Sequence, residues 1–277
     1  MEANWQGISM TLVTFLLIAG TIVAHPYIKK VTNTYWFWLG VGVVLLVYVV
    51  IFRYQYNFSD FWKAQDKSDQ VAARGLLLDL CPFVAFVLPI TMIADPTRKS
   101  SCALAYFGIF GGLVNFIGCF CFIDSKPELV AHWSWEWIFV GDPKARFFFM
   151  THFILLFFSP FVLLNSKRVL WKDVVWTLGF IFSYFAYVLI FAHVFHVKSH
   201  ATGLVIGDWQ TGGEYQKAGA LLKFLPFPWI TVVLYGLVYC LVIGVILLYI
   251  ELQKHEKYVC NYTFKELFPK RQKISNR

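Results

Sequence analysis

Residues 229–250 read WITVVLYGLVYCLVIGVILLYI, twenty-two positions without a charged side chain. As a helix the run would rise about 33 Å, enough to cross a hydrocarbon core of about 30 Å. A helix on the surface of a water-soluble domain carries a polar face, and this one has none. The stretch therefore reads as a membrane span.

Six further stretches have no lysine or arginine in their interior: 8–25, 35–52, 75–94, 102–123, 147–165 and 172–195. A helix satisfies its backbone polar groups within its own segment, so the expected fold is all-α, a bundle of seven transmembrane helices. That bundle occupies residues 1–251, followed by a basic tail at 252–277. The longest intervals between spans, 53–74, 124–146 and 196–228, are too short to fold as separate domains. Composition agrees, with 14% charged residues against 58% hydrophobic, where a soluble domain carries roughly 25% charged. A soluble catalytic domain is excluded.

The first span does not read as a cleaved signal, because no Lys or Arg precedes Lys29 and the positive amino-terminal region of a signal is missing. Of the six cysteines, Cys81, Cys102, Cys119, Cys121 and Cys240 fall in or at the ends of spans, and no C-x2-C metal spacing occurs. Asn57-Phe58-Ser59 would accept a glycan in a secretory compartment.

Fourteen of the 24 Lys and Arg residues lie on one side if the spans alternate. Seven of these are in the tail: Lys254, Lys257, Lys265, Lys270, Arg271, Lys273 and Arg277, against Glu256 and Glu266. The positive-inside rule then puts the tail in the cytoplasm and the N-terminus outside. The remaining cytoplasmic charges are Lys29, Lys30, Arg98, Lys99, Lys167, Arg168 and Lys172. Aromatics interleave the tail lysines, a pattern suited to lying on anionic headgroups rather than to binding nucleic acid. Trp5, Trp36, Trp38, Trp133, Trp135, Trp137 and Trp229 form the expected interfacial belt.

An ionisable group at membrane depth marks a functional site or a water-lined cavity. Asp79 and Cys81 lie early in the third span, Asn115 late in the fourth, His152 early in the fifth, and His193 and His196 at the end of the sixth. With alternating spans, all of them fall in the outer half. Pro82 is expected to kink the third helix, with Pro89 extending the irregularity. His193 and His196, at i and i+3, share a helix face and permit a zinc site with His152 or Asp79, as they equally suit interfacial histidines facing water. Cys81 reads as a buried small residue or as a nucleophile, and His152 as an interior histidine or as its general base.

Further motifs accompany these residues. Leu76 to Pro89 is similar to an L-P-L-H-L-C helix with a later proline. Ala105-Tyr106-Phe107 with Gly111-Gly112 is similar to a glycine-rich next span, Phe147 to His152 to an aromatic stretch ending in S-H, and Leu225 to Trp229 to a G-P-W-P-W approach to the last span. In order and spacing, over about two thirds of the chain, they resemble the YwaF-like family of bacterial integral membrane proteins. These are relatives of the animal transmembrane ether-phospholipid acyltransferases.

The resemblance implies that Cys81 is the acyl-accepting cysteine and His152 the family histidine. Leu77 stands in place of the family proline and Asp79 in place of its histidine.

Three functions follow as expectations. In the first, the protein is a cell-membrane phospholipid acyltransferase or transacylase needing no cofactor. Cys81 is its nucleophile, His152 its base, Asp79 an orienting or headgroup-holding carboxylate, and Asn115 and Trp229 its oxyanion and substrate contacts. The second is a transporter, receptor or membrane assembly factor whose polar groups line a ligand pocket. The third is a zinc-dependent membrane hydrolase built on His193 and His196.

Overall fold

The computed structural model describes residues 5–51, 75–117, 143–166, 171–197 and 228–255, with single positions at 63, 121, 204 and 225; at 6 and 143–148 only the backbone is described. The Asn57 acceptor motif, Trp133, Trp135, Trp137, His200 and the tail beyond His255 lie outside the described residues.

The described residues form seven helices and no strand. They are α1 (Trp5–Thr32), α2 (Tyr35–Val49), α3 (Leu80–Ala94), α4 (Lys99–Asn115), α5 (Pro143–Asn165), α6 (Lys172–His193) and α7 (Trp229–Leu252). Each coincides with one of the seven charge-free stretches. Three are long and apolar enough to cross a bilayer: α1, from Gly7 onward, α6 and α7. Helix α2, helix α3 and the Phe149–Asn165 part of α5 are apolar but shorter.

Two of the boundaries that differ from the sequence expectation have a local cause. Helix α1 continues past residue 25 through Pro26 to Thr32, which places Lys29 and Lys30 in its last turn instead of in a loop. There the cations meet the negative end of the helix dipole. Helix α3 begins at Leu80 rather than at residue 75, with Asp79 as an extended N-cap residue. Pro82 is consequently in the first turn, where its missing N–H has no intrahelical partner to lose. The expected kink at Pro82 is replaced by an ordinary helix start; the proline inside α3 is Pro89.

Helix α4 is the centre of the bundle, packing against α3, α5, α6 and α7. Ser101, Cys102, Leu104 to Ile109, Gly111 and Gly112 are all buried. Its approach to α5 is close because glycine removes the side chains between them. A Cβ on Gly108 would lie 2.2 Å from Ser159 Oγ, and one on Gly112 would lie 2.6 Å from Leu156 Cβ. Gly108 and Gly112 thus act as a small-xxx-small pair. Helix α2 packs chiefly on α3, and α1 on α5.

One end of the bundle is tied together by polar groups. Arg98, in the left-handed region at φ 58° and fully buried, caps the start of α4. Its Nε donates to the Asn165 carbonyl at 2.7 Å and its Nη2 to Asn33 Oδ1 at 3.3 Å. Its guanidinium carbon sits 5.7 Å from the centroid of the Trp38 ring, whose Nε1 donates to the Thr32 carbonyl. His25 Nε2 is 3.2 Å from Asn165 Oδ1. Lys99 reaches Asp173 at 3.4 Å, and Tyr249 donates to the Pro160 carbonyl at 3.0 Å. The turns joining α1 to α2 and α3 to α4, the facing ends of α5 and α6, and the last turns of α7 therefore share this end.

Candidate functional site

The residues singled out from sequence sit on their helices away from the Arg98 end. Asp79 and Cys81 open α3, which closes beside Asp95. Asn115 closes α4, which opens at Arg98. His152 is thirteen residues before Asn165 on α5, about 20 Å along the helix. His193 closes α6, and Trp229 opens α7.

Packing register shows which of these come together. Between α3 and α4, Ser101 Oγ donates to Thr91 Oγ1 at 2.9 Å. Ten residues further on along each helix, Cys81 Sγ lies 2.7 Å from where a Gly111 Cβ would be. Between α4 and α5, Gly108 meets Ser159 and Gly112 meets Leu156. Continuing by one turn brings Asn115 level with His152. Cys81 thus packs on Gly111 of α4, and His152 of α5 lies at the level of Asn115. Along the Gly111–Asn115 turn the cysteine and histidine levels are four residues apart, about 6 Å.

Exposure grades the three. His152 is buried and Cys81 partly exposed. Asn115 Nδ2 donates to the Gly111 carbonyl at 2.9 Å, which stitches the turn that the other two approach.

The segment ahead of Cys81 is irregular, and α6 holds it. Leu77 adopts φ 54°, a left-handed conformation that costs a leucine roughly 1–2 kcal/mol. Leu77 and Leu78 are nonetheless buried. The carbonyls that this turn leaves outside a helix are met by tyrosines: Tyr184 donates to Leu78 at 2.5 Å and Tyr187 to Leu76. A buried carbonyl without a donor would cost about 1–3 kcal/mol, so the two hydroxyls are what allow the turn. Phe83, one turn into α3, packs between them, with ring centroids 5.5 Å from Tyr184 and 5.7 Å from Tyr187.

The remaining candidates stand apart. His193 and His196 are exposed, with His196 in the left-handed region. Among the described residues no three His, Cys, Asp or Glu side chains gather as a metal would require. Trp229 is exposed at the head of α7, 61% accessible, as a belt residue would be.

Sequence reading missed Arg98, Asn165, His25 and the Tyr184–Tyr187 pair. Arg98 carried a signal, because Asp95-Pro96-Thr97-Arg98 has the composition of a tight turn between two apolar runs. The tyrosines carried only a weak one, an i, i+3 spacing within a span.

The profile of a family of unknown function, DUF5378, matches residues 11–276. The chain belongs to that family. Among its relatives, the uncharacterized protein MG135 of Mycoplasma genitalium is 28% identical over 229 residues, 76% of this chain and 78% of the relative. The MG135 homolog of Mycoplasma pneumoniae is 27% identical over 237 residues, 78% and 79% of the two chains. No solved structure matches. The DUF5378 match runs through all seven helices, so the polar cluster and the Arg98 network both lie inside the family's segment.

Proposed function

We propose that this DUF5378 protein is a seven-span integral protein of the cell membrane, N-terminus outside and basic tail inside, that transfers acyl chains between phospholipids through Cys81. The placement of Cys81 carries this reading. With α3 starting at Leu80, the thiol lies in the first helical turn and is partly exposed.

Depth supports the same reading. Helix α3 has 15 residues and so rises about 22 Å, some 8 Å short of a hydrocarbon core of about 30 Å. With Ala94 at the inner boundary, the turn at Leu76–Asp79 lies below the outer surface. Irregular backbone at such depth requires protein cover, which Tyr184 and Tyr187 supply.

The chemistry balances without a cofactor. The Cys81 thiolate attacks an ester carbonyl of a donor phospholipid, the carbon–oxygen bond breaks, and the departing lysolipid alkoxide takes a proton from the His152 imidazolium. A second lysolipid hydroxyl, deprotonated by His152, then attacks the thioester and restores the thiolate. Asn115 donates to the oxyanion. Along α4 the His152 level is one turn from that of the sulfur, and in this scheme the proton passes between them through intervening water. The resemblance of residues 76–89 and 147–152 to the YwaF-like family points the same way.

That one-turn offset also favours a second reading, in which the cluster is a ligand pocket of a receptor, transporter or assembly factor and no bond is made. Intact-mass analysis of the purified protein after incubation with phospholipid separates the two. Acyl transfer gives an adduct of acyl-thioester mass on the wild type and on no Cys81→Ala molecule, with turnover lost in His152→Ala. No adduct, and equal lipid turnover by all three proteins, refutes the transferase reading.

A further inference from the structure

Gly108 and Gly112 account for the close approach of α4 to α5, and Gly111 is not required by it. A Cβ on Gly111 would meet α5 only at Leu155 Cδ1, 3.8 Å away, which is ordinary van der Waals contact. Towards α3 the same Cβ would stand 4.0 Å from Cys81 Cβ, again without conflict. The one atom in its way is Cys81 Sγ, at 2.7 Å. The helix backbones therefore leave room for an alanine at 111, and the thiol occupies that room.

The thiol hangs from a single rotatable bond with three staggered positions, and a swing from one to the next carries the sulfur about 3 Å. The conformer in the structure turns Sγ onto α4, beside the point that Leu155 approaches from α5. Leu155 and His152, at i+3 and i, share a face of α5. The sulfur thus faces the seam between α4 and α5, along which Asn115 and His152 stand further out.

We propose that Gly111 is a positioning residue for Cys81: its missing side chain lets the thiol lie against α4 and face the α4–α5 seam. The part this plays in turnover rests on the transferase reading, whereas the placement of the sulfur does not.

The test compares full-length wild type, Gly111→Ala and Gly112→Ala, purified in detergent. Alkylation by iodoacetamide is followed cysteine by cysteine with peptide mass spectrometry, alongside melting by circular dichroism and phospholipid acyl turnover. Gly111→Ala is expected to melt no lower than wild type, because alanine is the better helix former and only the sulfur has to move. Its Cys81 is alkylated faster, the sulfur having left its contact with α4, while exposed Cys240 on α7 keeps the wild-type rate. Turnover falls roughly a hundredfold, the effect of misplacing a reacting group by an ångström or more; the fall is in kcat, with KM unchanged. Gly112→Ala supplies the contrast, since its methyl meets backbone atoms of Leu156 and lowers the melting temperature. A wild type that forms no acyl adduct removes the transferase reading, and the alkylation comparison alone then decides on the positioning. An unchanged or slower alkylation of Cys81 in Gly111→Ala overturns the proposal. So does a melting temperature as low as that of Gly112→Ala, because the helices and not the thiol would then have given way. Undiminished turnover in Gly111→Ala, with wild type active, overturns its part in catalysis.

Discussion

Gly112→Ala isolates the contact on which the bundle depends most. The added methyl would lie 2.6 Å from Leu156 Cβ and 2.9 Å from both its Cα and its backbone nitrogen. Two of those atoms are backbone, so no rotamer change relieves the clash, and α4 and α5 must separate by about 1 Å to restore ordinary contact. Overpacking of this kind costs about 1–3 kcal/mol, and the better helix propensity of alanine returns about 1 kcal/mol. The net expectation is a loss of up to about 2 kcal/mol.

Two companions make the measurement internally controlled. At Gly244 nothing lies within 4 Å, so Gly244→Ala gains the propensity alone, up to about 1 kcal/mol. At Gly108 the nearest atom is Ser159 Oγ, a side-chain atom that can rotate, and Ser159 Cβ is at 3.4 Å. Gly108→Ala should therefore be milder than Gly112→Ala, and Ser159→Ala in the same chain should recover most of its loss. Unfolding titration of each purified protein in mixed micelles gives the order Gly244→Ala, wild type, Gly108→Ala, Gly112→Ala from most to least stable. A Gly112→Ala protein as stable as Gly244→Ala would refute the close α4–α5 approach and the register that brings His152 level with Asn115.

Arg98→Met should destabilise the fold by about 3 kcal/mol, because it leaves the buried Asn165 carbonyl and the half-buried Asn33 Oδ1 without their donor, and Arg98→Lys should not restore it, since an ammonium cannot reproduce the fork. The same unfolding titration checks both. Tyr184→Phe removes the donor to the buried Leu78 carbonyl and should cost about 1–3 kcal/mol, with faster alkylation of Cys81 by a thiol reagent as the second readout. The Asp95 carboxyl, in the α3–α4 turn, is raised by burial, but hydrogen bonds from Ser100 and Thr97 outweigh this and hold it below its ordinary value near 3.8. Its contribution to stability is therefore fully present above that value and lost as pH falls through the lower folded value. Asp95→Asn should lower stability at neutral pH and flatten the acid limb of a stability-versus-pH curve.

Much of the architecture was legible in the chain. The seven helices follow from charge-free runs, because an apolar segment of that length has few other ways to satisfy its backbone. Alternating helix direction likewise put Cys81, Asn115 and His152 toward the same end of their helices, and in the structure each lies toward the end away from Arg98. Helix ends were read less well. Apolarity does not reveal where a helix begins: Leu76, Leu77 and Leu78 look like span, yet they form a turn that persists because α6 brings two hydroxyls to its carbonyls.

Sequence by itself determined the solvent-like character of each segment and the order of the helices, because hydrophobicity and chain direction are local properties. Tertiary structure decided three things that depend on which helices are neighbours. It set the one-turn offset between Cys81 and His152, through the register of α4 against α3 and α5. It put the start of α3 against the aromatic rings of α6, through Phe83. It also turned Arg98 from a loop charge into a buried tie between α1, α4 and α5, since a guanidinium can be buried only where acceptors from distant parts of the chain converge on it.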